Sequence, residues 1–98
     1  MSINPSLSLL QEMAVFVRVV ETGSFSEAAR QLDLSPSAVS RAISRLEKAL
    51  ATRLMQRTTR KLRLSEAGEE VFKRCREMVD AARSVMEISG QHTQEPEG

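Results

Sequence analysis

The chain has 98 residues, 41% of them hydrophobic and 28% charged, with 14 Lys and Arg against 13 Asp and Glu. That length holds one domain or two at most, and the apolar fraction supports a small core, which excludes wholesale disorder. The net charge of +1 argues at face value against a polyanionic partner, the single cysteine excludes an intramolecular disulfide, and the lack of Trp and Tyr argues against a stacking platform for single strands.

In chain order, the first predicted element is a helix from about Ser8 to Thr22. Leu10, Met13, Val17 and Val20 recur at helical spacing, with Phe16 beside them. Ser8 and Gln11 have capping-box spacing, and Gly23 is a natural C-terminal stop. A short helix over Ser26–Leu32 follows. Ser24 and Glu27 form a second capping-box pattern, and Ala28, Ala29 and Leu32 make a small apolar face. After a tight connection at Asp33-Leu34, Ser35-Pro36 opens a third helix, since Ser caps well and Pro at the first position sacrifices no hydrogen bond. Val39, Ile43, Leu46 and Leu50 form its buried stripe, and Ser37, Ser40, Arg41, Ser44, Arg45 and Lys48 its polar face.

Residues 53–64 change character. Leu54-Met55 leads into Arg57-Thr58-Thr59-Arg60-Lys61, and Leu62-Arg63-Leu64 alternates at period two. The pattern predicts a two-stranded hairpin with a basic tip. Ser65 then caps a long helix, with Glu66, Glu69 and Glu70 at its positive end and Gly90 as its expected stop. Phe72, Cys75, Val79, Ala82 and Met86 form one stripe, with Val71, Met78 and Val85 beside it. Two stripes on a helix this long exceed what a small core covers, so one is expected to meet a partner helix. The first stripe is assigned to a dimer interface. Gly68 lies where glycine costs about 1 kcal/mol against alanine, which points to close packing. Residues 91–98 read as a polar tail.

Placing the charges changes the first impression. Residues 1–40 carry −2 and residues 65–98 carry −4, whereas residues 41–64 carry eight basic side chains against Glu47 alone, a net +7. The basic segment coincides with the third helix and the hairpin. A short helix, a tight turn and a helix with a polar-basic face describe a helix-turn-helix. An α-helix fits the major groove of B-DNA, and its first turns reach base edges. Pro36, Ser37, Ala38, Ser40 and Arg41 are the candidate base-reading positions. The N-termini of the second and third helices can donate N–H groups to phosphates, which makes Ser24, Phe25, Ser26 and Ser35 positioning candidates. Arg45, Arg57, Thr58 and Lys61 join them as phosphate contacts. Arg60 at the hairpin tip suits a narrow minor groove.

Gly23-Ser24-Phe25-Ser26-Glu27-Ala28-Ala29, Leu34-Ser35-Pro36-Ser37-Ala38-Val39-Ser40-Arg41-Ala42-Ile43, Leu46-Glu47, Leu54, Arg57-Thr58-Thr59-Arg60 and Leu64-Ser65-Glu66-Ala67-Gly68 together resemble the LysR-type transcriptional regulators. The likeness covers about residues 8–90. It implies a mostly α fold: a winged helix-turn-helix over residues 1–64, a linker helix over 65–90 that pairs two subunits, and a tail over 91–98. It also implies an effector-binding domain that this chain does not include, so any small-molecule effector belongs to that missing part and no cofactor is expected here. The implied partner is an inverted repeat in double-stranded DNA, bound by a homodimer that could form a tetramer at full length. Pro36 stands where the family often has Gln, which weakens direct readout at the helix start and shifts weight to Ser37, Ser40 and Arg41. Ala51 replaces a frequent Gly, and Met55 a frequent Phe.

Other classes fare worse. A helical protein-interaction module docking its basic face on an acidic partner does not explain why Ser37, Ser40 and Arg41 share one face. Hydrolytic chemistry needs a buried His, and the only one, His92, lies in the tail. The sequence has neither a Gly-rich phosphate loop nor a metal-ligand cluster. Residues 1–5 lack a signal-peptide pattern, and no apolar run approaches the roughly 20 residues of a membrane span. A soluble cytoplasmic protein is expected, nucleoid-associated when bound to DNA.

Overall fold

Local caps and periodicity divide the chain into helices α1 (Leu10–Thr22), α2 (Phe25–Leu32) and α3 (Pro36–Leu50), strands β1 (Met55–Arg57) and β2 (Leu62–Leu64), and helix α4 (Glu66–Thr93). The structure is a computed structural model and describes residues 8–57 and 61–93, without the side chains of residues 57, 89 and 91–93. The expected order of three helices, hairpin and long helix is present.

Helix α1 is the centre of the packing and touches α2, α3 and α4. It buries Val15, Phe16, Val17 and Val19. Met13 and Val20 of the expected line pack against this core, while Leu10 is exposed and the buried face widens to Val15 and Val19. Leu9 rather than Ser8 occupies the cap position, with no side-chain hydrogen bond capping there. At the other end Gly23 takes φ +72°, and its N–H closes the helix on the Val19 carbonyl.

Ser24 caps α2 by accepting from the Glu27 N–H at 3.1 Å. The reciprocal half of the expected box is absent. Glu27 instead accepts from Arg30 and Gln31 on its own helix, and the Ser24 N–H donates to Thr22 Oγ1 at 3.3 Å. Asp33, at φ +60°, ends α2, and the Leu34 N–H reaches back to the Ala29 carbonyl. Ser35 caps α3 by accepting from the Ala38 N–H, with Pro36 in the first turn. Val39, Ala42, Ile43 and Leu46 are buried, but Leu50 is exposed.

Ala51 ends α3 in the left-handed region, at φ +54°. A Cβ there clashes with the neighbouring carbonyl, a cost that glycine avoids. Ala51→Gly is expected to raise stability by about 0.5–1 kcal/mol despite the more flexible unfolded chain. Urea melts of the two proteins check this, and an unchanged or lower midpoint contradicts it.

The two strands pair antiparallel, Met55 opposite Leu64 and Arg57 opposite Leu62. Leu54 and Met55 are buried at the root of this hairpin. Ser65 ties the hairpin to α4. Its hydroxyl donates to the Arg53 carbonyl at 2.6 Å and accepts from the Gly68 N–H at 2.9 Å. A Cβ on Gly68 would lie 1.9 Å from the Leu54 carbonyl oxygen, which explains a glycine inside a helix.

Helix α4 departs from expectation at its end and along its first stripe. It continues through Gly90 to Thr93, because a helical glycine costs only about 1 kcal/mol and nothing there forces positive φ. As expected of one stripe, the helix packs on the domain: Cys75 is buried in the core, and Val71, Phe72 and Val79 pack against it. The Phe72 ring meets Phe16 edge-on, with centroids 6.4 Å apart. The stripe assigned to a dimer interface is accordingly split. Cys75 is enclosed by its own chain, Phe72 and Val79 are half-buried on the same core, and Ala82 and Met86 are exposed.

Candidate nucleic-acid interface

The α2–α3 unit joins two capped helix starts to one exposed polar face. The caps are formed by Ser24 and Ser35, whose hydroxyls each take one backbone N–H of the first turn. Burial of Val39, Ile43 and Leu46 turns the opposite face of α3 outward. Ser37, Arg41, Ser44, Arg45 and Lys48 on that face are exposed, and Ser40 is half-buried at its margin. Ser37 Oγ lies 3.2 Å from Ser35 Oγ, so the first turn carries a linked pair of hydroxyls. Pro36 is exposed in the first turn and Ala38 is half-buried beside it. The five candidate base-reading positions are thus together on the first two turns of α3. Phe25 packs partly against the core at the start of α2, and Ser26 is exposed beside it.

The hairpin supplies the second basic element. Gln56, Lys61 and Arg63 are exposed on it, and Arg53 is exposed just before it. Thr58 and Arg60 lie outside the described residues, as does the side chain of Arg57. On α2, the hydrogen bond from Arg30, and then that from Gln31, holds the Glu27 carboxyl below the usual range, and Glu27 in turn raises the Arg30 guanidinium. Burial pushes the Cys75 thiol up, so it is a poor nucleophile at neutral pH. No group of His, Cys, Asp and Glu among the described residues could hold a metal ion. No helix among them is long and apolar enough to cross a membrane.

Two carboxylates behind this face have contacts that the sequence does not indicate. Glu47 Oε2 accepts from the N–H groups of Leu54 and Met55, at 2.8 and 3.3 Å. It therefore fixes the hairpin root to the last turn of α3. Its signal was present as the lone acid among eight basic side chains. Glu12 Oε2 on α1 lies 3.4 Å from Arg45 Nε. No spacing rule links residues 12 and 45, so only the fold reveals that pair.

Residues 10–69 match the family profile described as "Bacterial regulatory helix-turn-helix protein, lysR family". The chain belongs to the LysR family. That family is one of transcriptional regulators rather than enzymes. Among LysR-family relatives, the probable HTH-type transcriptional regulator LtrA of Klebsiella pneumoniae is 52% identical over 85 residues, 87% of this chain and 28% of the relative. The HTH-type transcriptional activator AaeR of Escherichia coli is 45% identical over 78 residues, covering 80% of this chain and 25% of its own. The chain thus spans about a quarter of the length of these relatives. Among solved structures, oxidized OxyR of Corynebacterium glutamicum superposes with a TM-score of 0.77 at 32% identity, covering 82% of this chain and 26% of that one. The DNA-binding domain of BenM, in a complex with catB site 1 DNA, also superposes at 0.77, with 24% identity over 89% of this chain and 98% of that one. The latter shows the shared fold: a LysR-type winged helix-turn-helix continued by a long helix.

Proposed function

We propose that this LysR-family chain is the DNA-binding portion of a transcription regulator. It reads double-stranded DNA with α3 in the major groove and the hairpin in the flanking minor groove. The observation that carries the reading is the exposed face of α3. Short hydroxyl side chains surround Arg41 on its first turns, so the backbone can approach the base edges while Arg41 reaches a guanine. The net +7 of residues 41–64 lies on α3 and the hairpin, and the acidic remainder falls largely on α1, α2 and α4. The DNA complex of a BenM domain of the same fold supports it.

Site selection from random duplexes tests this directly. The wild type is expected to enrich one half-site, present twice as an inverted repeat. Arg41→Ala relaxes preference at one base pair, a loss of about 1–3 kcal/mol there. Lys61→Ala weakens all duplexes alike and lowers the log-log salt slope by about 1. An unchanged selected motif for Arg41→Ala overturns its assignment as a base reader.

The reading includes a homodimer through the far end of α4. Residues 81–88 are all exposed, and Val85, Met86 and Ile88 are 63%, 70% and 56% accessible. Apolar side chains that open on a helix clear of its own core suit a partner helix. Ala82 and Met86 keep their assigned place, joined by Val85 and Ile88. Met86→Glu is expected to shift the sedimenting species towards monomer, and an unchanged dimer mass would move the interface elsewhere. The reading further includes a tetramer at full length, no cofactor in this portion and action in the cytoplasm at the nucleoid, and the relatives' greater length leaves room for a part that takes a small-molecule effector.

A further inference from the structure

We infer that Glu12 is a positioning residue of the DNA interface, which aims Arg45 from behind α3. This rests on the reading of α3 as the DNA-facing helix. Arg45 lies at the edge of the polar face, one turn after Arg41 and on the flank towards α1. Its guanidinium has one acidic neighbour on the side of the core. Nε lies 3.4 Å from Glu12 Oε2, and the two side chains line a cavity of about 110 Å³ together with Ala38 and Ala42 of α3.

The two partners are unequal. The Glu12 side chain is only 15% exposed, and that of Arg45 is 62% exposed. Glu12 is therefore the fixed member, held in the first turn of α1, where the helix dipole favours a carboxylate. Its other oxygen, Oε1, is buried without a hydrogen-bond partner, so the charge of Glu12 is met among the described groups chiefly by Arg45. A guanidinium is a rigid planar fork. When its Nε side faces an anchored carboxylate, the terminal nitrogens point away from that anchor and keep their donors for a second anion. A free arginine loses much rotamer freedom on binding phosphate; one already pinned loses less. Phosphate contacts set the register of a protein on the duplex, and base contacts then read sequence. Pinning Arg45 thus sharpens the register in which Ser37, Ser40 and Arg41 meet the bases.

Electrostatics alone predicts the opposite sign, because a carboxylate near DNA repels phosphate. The two accounts separate in a double-mutant cycle. Duplex affinity is measured by fluorescence anisotropy for wild type, Glu12→Gln, Arg45→Ala and the double variant. The probes are the duplex selected by the wild type and a scrambled duplex, and circular dichroism verifies that each variant is folded at the working temperature. Glu12→Gln keeps the size of the side chain and removes the charge. It is expected to weaken the selected duplex about fivefold, to weaken the scrambled duplex in the same direction but less, and to have no further effect once Arg45 is alanine. Tighter binding by Glu12→Gln overturns the proposal, as does an equal effect in both Arg45 backgrounds. A wild type that never distinguishes the two duplexes sinks instead the underlying reading of α3.

Discussion

Gly68→Ala is expected to destabilise the domain by at least about 2 kcal/mol and to lift the first turns of α4 from the core. From helix propensity alone the same change should stabilise by about 1 kcal/mol, since Gly is among the poorest helix formers. The structure reverses the sign. The new Cβ would lie 1.9 Å from the Leu54 carbonyl oxygen, 2.9 Å from its carbon and 3.2 Å from its Cα. These are backbone atoms, so no side-chain rotation relieves the overlap. Nor can Leu54 retreat cheaply. It is fully buried, and its carbonyl accepts from the Ser65 N–H at 2.9 Å. The remaining outlet is to move α4, which carries Phe72 off Phe16 and opens Cys75 to solvent. Two measurements read these consequences separately. The urea midpoint reports the lost stability. The rate at which Cys75 reacts with a thiol reagent under native conditions, slow in the wild type because the thiol is buried and its ionisation is pushed up, reports the displaced helix. A variant that melts as late as the wild type with an unreactive thiol contradicts the account.

The order of elements was legible because it rests on local chemistry. Ser24, Ser35 and Ser65 cap helices where the sequence places them, and the period of Val39, Ile43 and Leu46 is that of the helix they form. The polar face of α3 was legible for the same reason, as the complement of its buried stripe. What escaped depends on distance in sequence. The split of the α4 stripe follows from where α1 ends, since Phe72, Cys75 and Val79 lie within reach of the core while Ala82 and Met86 do not. A periodicity argument sees five equivalent positions on one line. It cannot tell which of them a neighbouring helix has already covered. The pair of Glu12 with Arg45 escaped likewise, because nothing local requires an acid at the start of α1 to answer a base on α3. Leu10 and Leu50 show the converse limit. Both sit at helix ends, where the apolar line runs past the core that would have buried it.

Glu47→Ala is expected to cost about 2–4 kcal/mol, the loss of two charge-assisted hydrogen bonds at buried backbone. The carboxylate accepts from the N–H groups of Leu54 and Met55, both of which are buried residues at the start of the hairpin. Alanine leaves these donors without the acceptor. Glu47→Gln keeps an acceptor oxygen in place and should recover about half of the loss, which separates the hydrogen bonds from the packing of the side-chain stem. Denaturant midpoints of the three proteins test this order, and equal midpoints for Ala and Gln refute the role of the acceptor. The same substitutions decide why a basic segment of eight cations keeps one acid. If Glu47 acted only through its charge, removing it would tighten binding to any duplex. Its contacts instead tie α3 to the hairpin, the two elements proposed above to meet DNA together. Under conditions where the protein is fully folded, Glu47→Ala is therefore expected to bind its selected duplex about tenfold more weakly despite a more positive interface, with Glu47→Gln between it and the wild type.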